Sequence, residues 1–356
     1  ISIFDASTIT NGEAAINIIG VPTFTTSSSN ITIGTSSIAA INGLAYASST
    51  LYAGSVGYNR ISLFDVSSIS NGEGAVDLIG QYTDHNTSNL IVDYSKFGID
   101  NGQPGSFGFN SPNNIALDKV RHRMFVSDLN NRRILVFNLN NDNTITNFEA
   151  DYVLGQSNFA STTASTTQTG LSQPRALEYD EVADRLFVAD YSNHRVLVYD
   201  TATLVNGEPA VSVLGQSGFT TASPAVTQAG MNGPYSLAYS TTTGMLYVGQ
   251  FNTGRITVYN IGDGITNGEN AVSVLGQVNF TANQSVSVGA STTANVYGLA
   301  VDNANNRLFA VDGSKNRVLV FDVSSISNGE DAVSVLGQTS FTTSTTTATQ
   351  NGLYVP

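Results

Sequence analysis

Short runs of apolar, β-branched and aromatic residues recur along this chain, broken by clusters of Asp, Asn, Ser and Gly, and no stretch sustains a helical period. Within residues 174–216 four such runs appear, at 176–179, 186–189, 196–199 and 210–214, and each reads as a strand. The third and fourth are joined through Asn-Gly-Glu at residues 11–13, 71–73, 206–208, 267–269 and 328–330, with Asn147-Phe-Glu149 as the variant. Asn-Gly supplies positive φ at low cost, so these are turns before they are anything chemical. The run Ala210-Val-Ser-Val-Leu-Gly-Gln216 recurs at 271–277 and 332–338, with weaker copies ending at Gly20, Gly80 and Gly155. Measured on that glycine the intervals are 60, 75, 60, 61 and 61 residues, so the chain is a tandem array in which one repeat carries an insertion. Four antiparallel strands per repeat predict an all-β protein built of β-propeller blades. A parallel β-helix is the competing architecture, but its repeats are shorter and do not need four hairpin-linked strands.

The segment Leu186-Phe-Val-Ala-Asp-Tyr-Ser-Asn-His-Arg-Val-Leu-Val-Tyr-Asp200 is echoed at 124–138 and 308–322, and more loosely at 51–65 and 246–260. On these residues the chain resembles the NHL-repeat family of β-propellers over nearly its whole length. The resemblance implies the fold and little more, because that family includes enzymes, sensor domains and RNA-binding scaffolds. The expected organisation is one propeller domain over residues 1–356, with five complete repeats, a split partial repeat and an insertion at about 81–110. Ile1-Ser-Ile-Phe-Asp5 aligns with a third strand, and Pro356 stands where Pro174 and Pro234 open a first strand. A six-bladed ring is therefore expected to have an incomplete blade shared by the two termini, completed by flanking sequence or by strands of a neighbouring subunit.

Several motifs recur with the repeat. Arg60, Arg133, Arg195, Arg255 and Arg317 are equivalent, and Asp128, Asp190 and Asp312 precede three of them by five residues, with Ser55 and Gln250 in the other two places. An anion-binding ring is one reading; a hairpin clamp in every blade is preferred, because the carboxylates arrive with the arginines. As exposed ion pairs these would each contribute under ~1 kcal/mol. Arg123, Arg185 and Arg307 carry little weight as turn residues. Gly-Gln-x-x-Phe follows the fourth strand at Gln156/Phe159, Gln216/Phe219, Gln277/Phe280 and Gln338/Phe341, and four equivalent copies suit a structural anchor better than an aromatic ligand site.

Chemistry-bearing residues are sparse. His85, His122 and His194 occupy non-equivalent places and do not form the converging trio of a catalytic zinc. Glu178 and Asp302 are the acids that a lactonase-type metal site would use, but each sits where a first strand ends. Asn140-Asn-Asp-Asn143 lacks the spaced acids and terminal Glu of a calcium loop. No nucleophile elbow, phosphate loop or zincin motif occurs, and no cofactor is implied. The insertion holds Tyr82, His85, Tyr94, Phe97 and Phe107, the best candidates for contact with a protein partner.

The 356 residues carry 14 Lys plus Arg against 27 Asp plus Glu, a net charge of −13, which argues against nucleic acid and anionic membrane surfaces as partners. No apolar run approaches a membrane span, so no membrane insertion is expected. With no cysteine there is no disulfide framework, thiolate metal site or cysteine nucleophile. The chain opens on Ile1 without a visible signal peptide, as a processed product or excised segment would. Connectors such as 25–30, 161–167 and 342–347 are Ser/Thr-rich, and sequons place candidate glycosylation acceptors at Asn30, Asn86, Asn279 and Asn283. These features point to a non-enzymatic, extracellular or cell-surface protein with a structural or adhesive role, a repeating subunit of a layer or filament with copies of itself as partners. The alternative is a ligand- or glycan-binding sensor module of a larger surface protein, slightly disfavoured by the absence of tryptophan. A metal-dependent propeller lyase or hydrolase ranks third.

Overall fold

The computed structural model describes residues 1–7, 9–24, 40–80, 104–283, 287–346, 349–354 and 356. The first blade is β3 (Ile41–Ala47), β4 (Thr50–Ser55), β5 (Arg60–Asp65) and β6 (Asp77–Ile79), preceded by the short strands β1 (Ser2–Ile3) and β2 (Asn17–Ile18). The second blade is β7 (Pro112–Asp118), β8 (Arg123–Asp128), β9 (Arg133–Asn138) and β10 (Tyr152–Leu154), and the third is β11 (Pro174–Asp180), β12 (Arg185–Asp190), β13 (Arg195–Asp200) and β14 (Ser212–Leu214). The fourth is β15 (Pro234–Ser240), β16 (Met245–Gln250), β17 (Arg255–Asn260) and β18 (Ser273–Leu275), and the fifth is β19 (Val296–Asp302), β20 (Arg307–Asp312), β21 (Arg317–Asp322) and β22 (Ser334–Leu336). Each is a four-stranded sheet whose strands neighbour one another in chain order, the blade pattern of an all-β propeller. The expectation of six blades is corrected to five four-stranded ones among the described residues. The residues aligned with a sixth form only the two-stranded sheet β1–β2, in which Ser2 faces Ile18 and Ile3 faces Asn17.

The chain divides into two compact units, one of residues 1–3, 17–186 and 199–209 and the other of 4–16, 187–198 and 210–356. In the first, Tyr52, Ile61, Leu63 and Ile79 of one blade and Ile115, Met124, Val126 and Leu135 of the next form one core, with Phe159 packed on its side. In the second, Tyr247, Ile256, Val258 and Leu275 meet Val296, Leu308, Leu319 and Phe321, with Phe341 alongside. In each of these two pairs the facing sheets bury one another's apolar side chains, and Phe159 and Phe341 of Gly-Gln-x-x-Phe pack alongside. First strands approach so closely that a Cβ on Gly43 would lie 2.5 Å from the Asn114 backbone.

The five repeated arginines are not the exposed pairs expected from sequence, because all of them are 0% exposed. Nε of Arg133, Arg195 and Arg317 donates to Asp128, Asp190 and Asp312, and that of Arg255 to the Gln250 side-chain oxygen. A terminal nitrogen of each of these four donates to a backbone carbonyl in the departing connector, at Phe159, Phe219, Phe341 and Phe280 respectively. In three blades the other terminal nitrogen reaches the segment leading into the first strand, at Gly108, Gly230 and Thr292. One planar cation therefore binds three chain segments that no strand pairing joins. Arg60 lies over the Tyr58 ring at 5.1 Å.

The Asn-Gly-Glu turns do more than reverse the chain. Oδ1 of Asn71, Asn206, Asn267, Asn328 and Asn11 accepts from the backbone N–H of Ile18, Val153, Val213, Val274 and Val335, each at 3.0 Å. The following glycine N–H donates to the carbonyl of that same residue in each case. Both backbone groups of one residue in the preceding repeat's fourth strand are thereby satisfied, from glycines at φ between +69° and +79°. The joint between the first and second blades departs from this. Asn147 accepts from its neighbour Glu149, and the Leu78 N–H donates to the carboxylate of Asp77.

Two outcomes test these roles. Arg133→Ala strands the Asp128 carboxylate and lowers the unfolding free energy by about 3–5 kcal/mol in urea titration, whereas the paired Arg133→Met/Asp128→Leu variant loses less. Asn267→Ala costs about 1–3 kcal/mol by the same measurement and Asn147→Ala close to nothing, because only the first leaves a strand N–H unsatisfied.

Candidate functional site

Three adjacent first strands of the first unit, β3, β7 and β11, enclose a cleft of about 200 Å³ lined by Tyr46, Ile115, Leu117, Lys119, Leu177 and Glu178 among others. Tyr46 is 54% exposed there, so its ring stands at the opening. Glu178 is half-buried among apolar walls; burial pushes its carboxyl up to about 8, against one backbone hydrogen bond from Tyr179 that favours the charged form. A neutral carboxylic acid at pH 7 donates a hydrogen bond where a carboxylate would only accept. Glu178 thus lines a cleft, whereas Asp302 is half-buried and held below the usual carboxylate range by bonds from Asn305 and the backbone of its turn.

Nearby, Arg123 is buried and not the incidental turn residue that its sequence position suggests. It donates to Asp118, Asp184, the Tyr179 hydroxyl and the Thr201 carbonyl, and its guanidinium lies over the Phe125 and Tyr179 rings. Arg121 reaches Asp184 at 3.1 Å from the more exposed side. The cluster ties the β7–β8 turn to the β11–β12 turn, and its charges are already committed to one another.

In the second unit four aromatic rings meet where the second-to-third-strand turns face the starts of the first strands. Tyr235 stacks on Phe251 with centroids 5.2 Å apart, and Tyr297 stands edge-on to Phe251 at 5.2 Å and to Tyr235 at 5.4 Å. Tyr191 closes the set at 6.1 Å from Tyr235 and 6.4 Å from Phe251. Amides surround them. The Tyr191 hydroxyl donates to Asn252, Asn252 donates to Asn232, and Asn295 donates to the Phe251 carbonyl and accepts from Ser314. All four rings are half-buried. Sequence inspection missed this set because its members lie at 191, 235, 251 and 297. The available signal was a break in the repeat: the equivalent positions hold Asn113 and Arg175 in first strands, and Leu129 and Gly313 in turns.

The remaining sequence candidates scatter. Asn279 and Asn283 are exposed, and the Asn279 Oδ1 caps its own turn. Asn30, Asn86, Tyr82, His85, Tyr94 and Phe97 lie outside the described residues, and Phe107 is half-buried. His122 and His194 occupy turn positions at φ +58° and +52°. The His194 Nδ1 accepts from the Gly233 N–H, and burial lowers its pKa. Among the described residues, no three of His, Cys, Asp and Glu come together as a metal would require. Gln156, Gln216, Gln277 and Gln338 each donate to the carbonyl of a left-handed turn residue, namely Arg132, His194, Gly254 and Asn316, and to the connector beyond.

The raised pKa of Glu178 fixes a sign. Because the folded state holds this proton more tightly than the unfolded chain, its contribution to stability is full below about pH 4.5 and is lost as pH rises through about 8. Glu178→Gln is expected to flatten that part of the stability–pH curve and to exceed the native protein in stability at pH 9, read by urea midpoints across the range.

No family model matches the chain, and no curated protein matches it. Among solved structures, the chain is similar to one from a crystal structure of a nidogen/laminin complex, at 15% identity and a TM-score of 0.47, with 83% of each chain covered.

Proposed function

We propose that this chain is a non-enzymatic, NHL-type propeller that serves as a building block of an extracellular layer or filament. The observation that carries the reading is the two-stranded sheet β1–β2. Ile1 and Ile19 exchange both backbone hydrogen bonds, so by antiparallel alternation the N–H and C=O of Ser2 point away from β2. Among the described residues no strand pairs with that edge. Beneath it Ile1, Ile3, Ile41 and Leu51 are only partly buried against Ile19, Ala53 and Phe64. β1 and β2 correspond to the third and fourth strands of a sixth blade, whose first and second strands come from outside this sheet, from flanking sequence or from a neighbouring copy by strand addition. An exposed edge over an apolar floor is a template for such pairing.

Two further features support the reading. The polar residues shared by the repeats, the arginines, the glutamines and Asn-Gly-Glu, are engaged in holding blades and connectors together. The connectors at 161–167 and 342–346 are half-buried to exposed hydroxyl-bearing surface, fitted to an aqueous exterior.

Light scattering after gel filtration is expected to show species well above the 37.4 kDa of one chain, increasing with concentration. Ser2→Pro, which removes the outward N–H without touching the Ile1–Ile19 pair, is expected to reduce the assembled fraction while leaving the melting temperature unchanged. A native chain that stays at 37.4 kDa at every concentration overturns the reading.

A further inference from the structure

The repeats agree wherever their residues hold the fold, so positions at which they disagree deserve a separate explanation. The aromatic set Tyr191, Tyr235, Phe251 and Tyr297 is such a disagreement, and it is seated with care. A Cβ on Gly313 would lie 2.3 Å from Tyr297 Cδ2, and one on Gly233 would lie 2.9 Å from Tyr191 Cε2, so glycines open the room in which two of the rings lie. The ring-to-ring angles alternate between 26° and values of 67° to 88°, which fixes each ring against its neighbours. Core packing alone does not require these rings, since the corresponding positions of the other blades do without them.

The chemistry around the rings selects the ligand. The hydrogen-bonding groups around them include asparagine amides, a serine hydroxyl and backbone, none of which carries formal charge. The nearby ions Asp190–Arg195 and Asp312–Arg317 are 0% exposed and neutralise each other. Flat aromatic faces favour a ligand with C–H-bearing apolar faces, and amides favour one with many hydroxyls.

We infer that this aromatic and amide surface on the fourth and fifth blades binds a neutral saccharide, with Tyr297 and Tyr235 as stacking platforms and Asn232, Asn252 and Asn295 as the polar frame. The inference is independent of strand addition at β1, because it uses none of the residues of that sheet.

The test titrates the purified chain with cellohexaose, chitohexaose and α-mannohexaose, and with polygalacturonate as an anionic comparison, following tyrosine fluorescence and heat. At least one neutral probe is expected to bind with an affinity that does not change with salt, since no ion pair forms. Tyr297→Ala is expected to weaken that binding by about tenfold while Tyr297→Phe retains most of it. Tyr354→Ala, at an exposed tyrosine outside the set, is expected to leave it unchanged. Binding of none of the neutral probes, salt-sensitive binding of the anionic one alone, or equal affinity in native and Tyr297→Ala protein overturns the inference. Circular dichroism of each variant separates lost binding from lost fold.

Discussion

A guanidinium out of reach of water is costly unless its donors are used, and this protein meets that constraint in the same way at four of its repeated arginines. Arg133, Arg195, Arg255 and Arg317 are 0% exposed, so the backbone around each must present acceptors to its guanidinium. That demand fixes the path of the chain where no strand ladder does: the departing connector must bring a phenylalanine carbonyl to one side, and the segment entering the blade must bring a carbonyl to the other. The glutamine of Gly-Gln-x-x-Phe does the same for the left-handed turn residue. Most of the loop structure follows from satisfying these two side chains.

The strands and turns were legible in the sequence because they depend on local chemistry. The run at 176–179 extends to Pro174–Asp180 and that at 196–199 to Arg195–Asp200, differences confined to ends where polar residues continue the ladder. The fourth strand is shorter than its apolar run, Ser212–Leu214 against 210–214, because Ala210 is buried before pairing begins. What could not be read was anything decided across repeats. The pairing of Asn206 with Val153 spans 53 residues, and the burial of Arg133 depends on carbonyls 25 and 26 residues away. Spacing showed that these residues recur; it carried no information on depth, and so the arginine pairs were placed at the surface.

The candidate surfaces follow the same division. Glu178 was visible as an acid near the end of a first strand, but its neutral state arises from walls contributed by β3 and β7, more than fifty residues earlier. The aromatic set is invisible to any search for shared motifs because it is defined by departure from the repeat. A regular scaffold makes such departures informative: where most positions are dictated by packing, a cluster that only some blades carry has escaped that dictation.

The Asn-Gly clasp also defines what can be copied. Each turn reaches back 53 or 54 residues within the regular joints, and the N-terminal turn closes on Val335 with the same geometry, Asn11 to its N–H and Gly12 to its carbonyl. A duplicated or deleted stretch of one repeat length therefore leaves each regular clasp with a partner, whatever residue the stretch begins on. In genetic terms, gain or loss by whole repeats through unequal recombination preserves the clasps, and the joint between the first and second blades, where Asn147 and Leu78 make other bonds, is the one that carries the 75-residue interval.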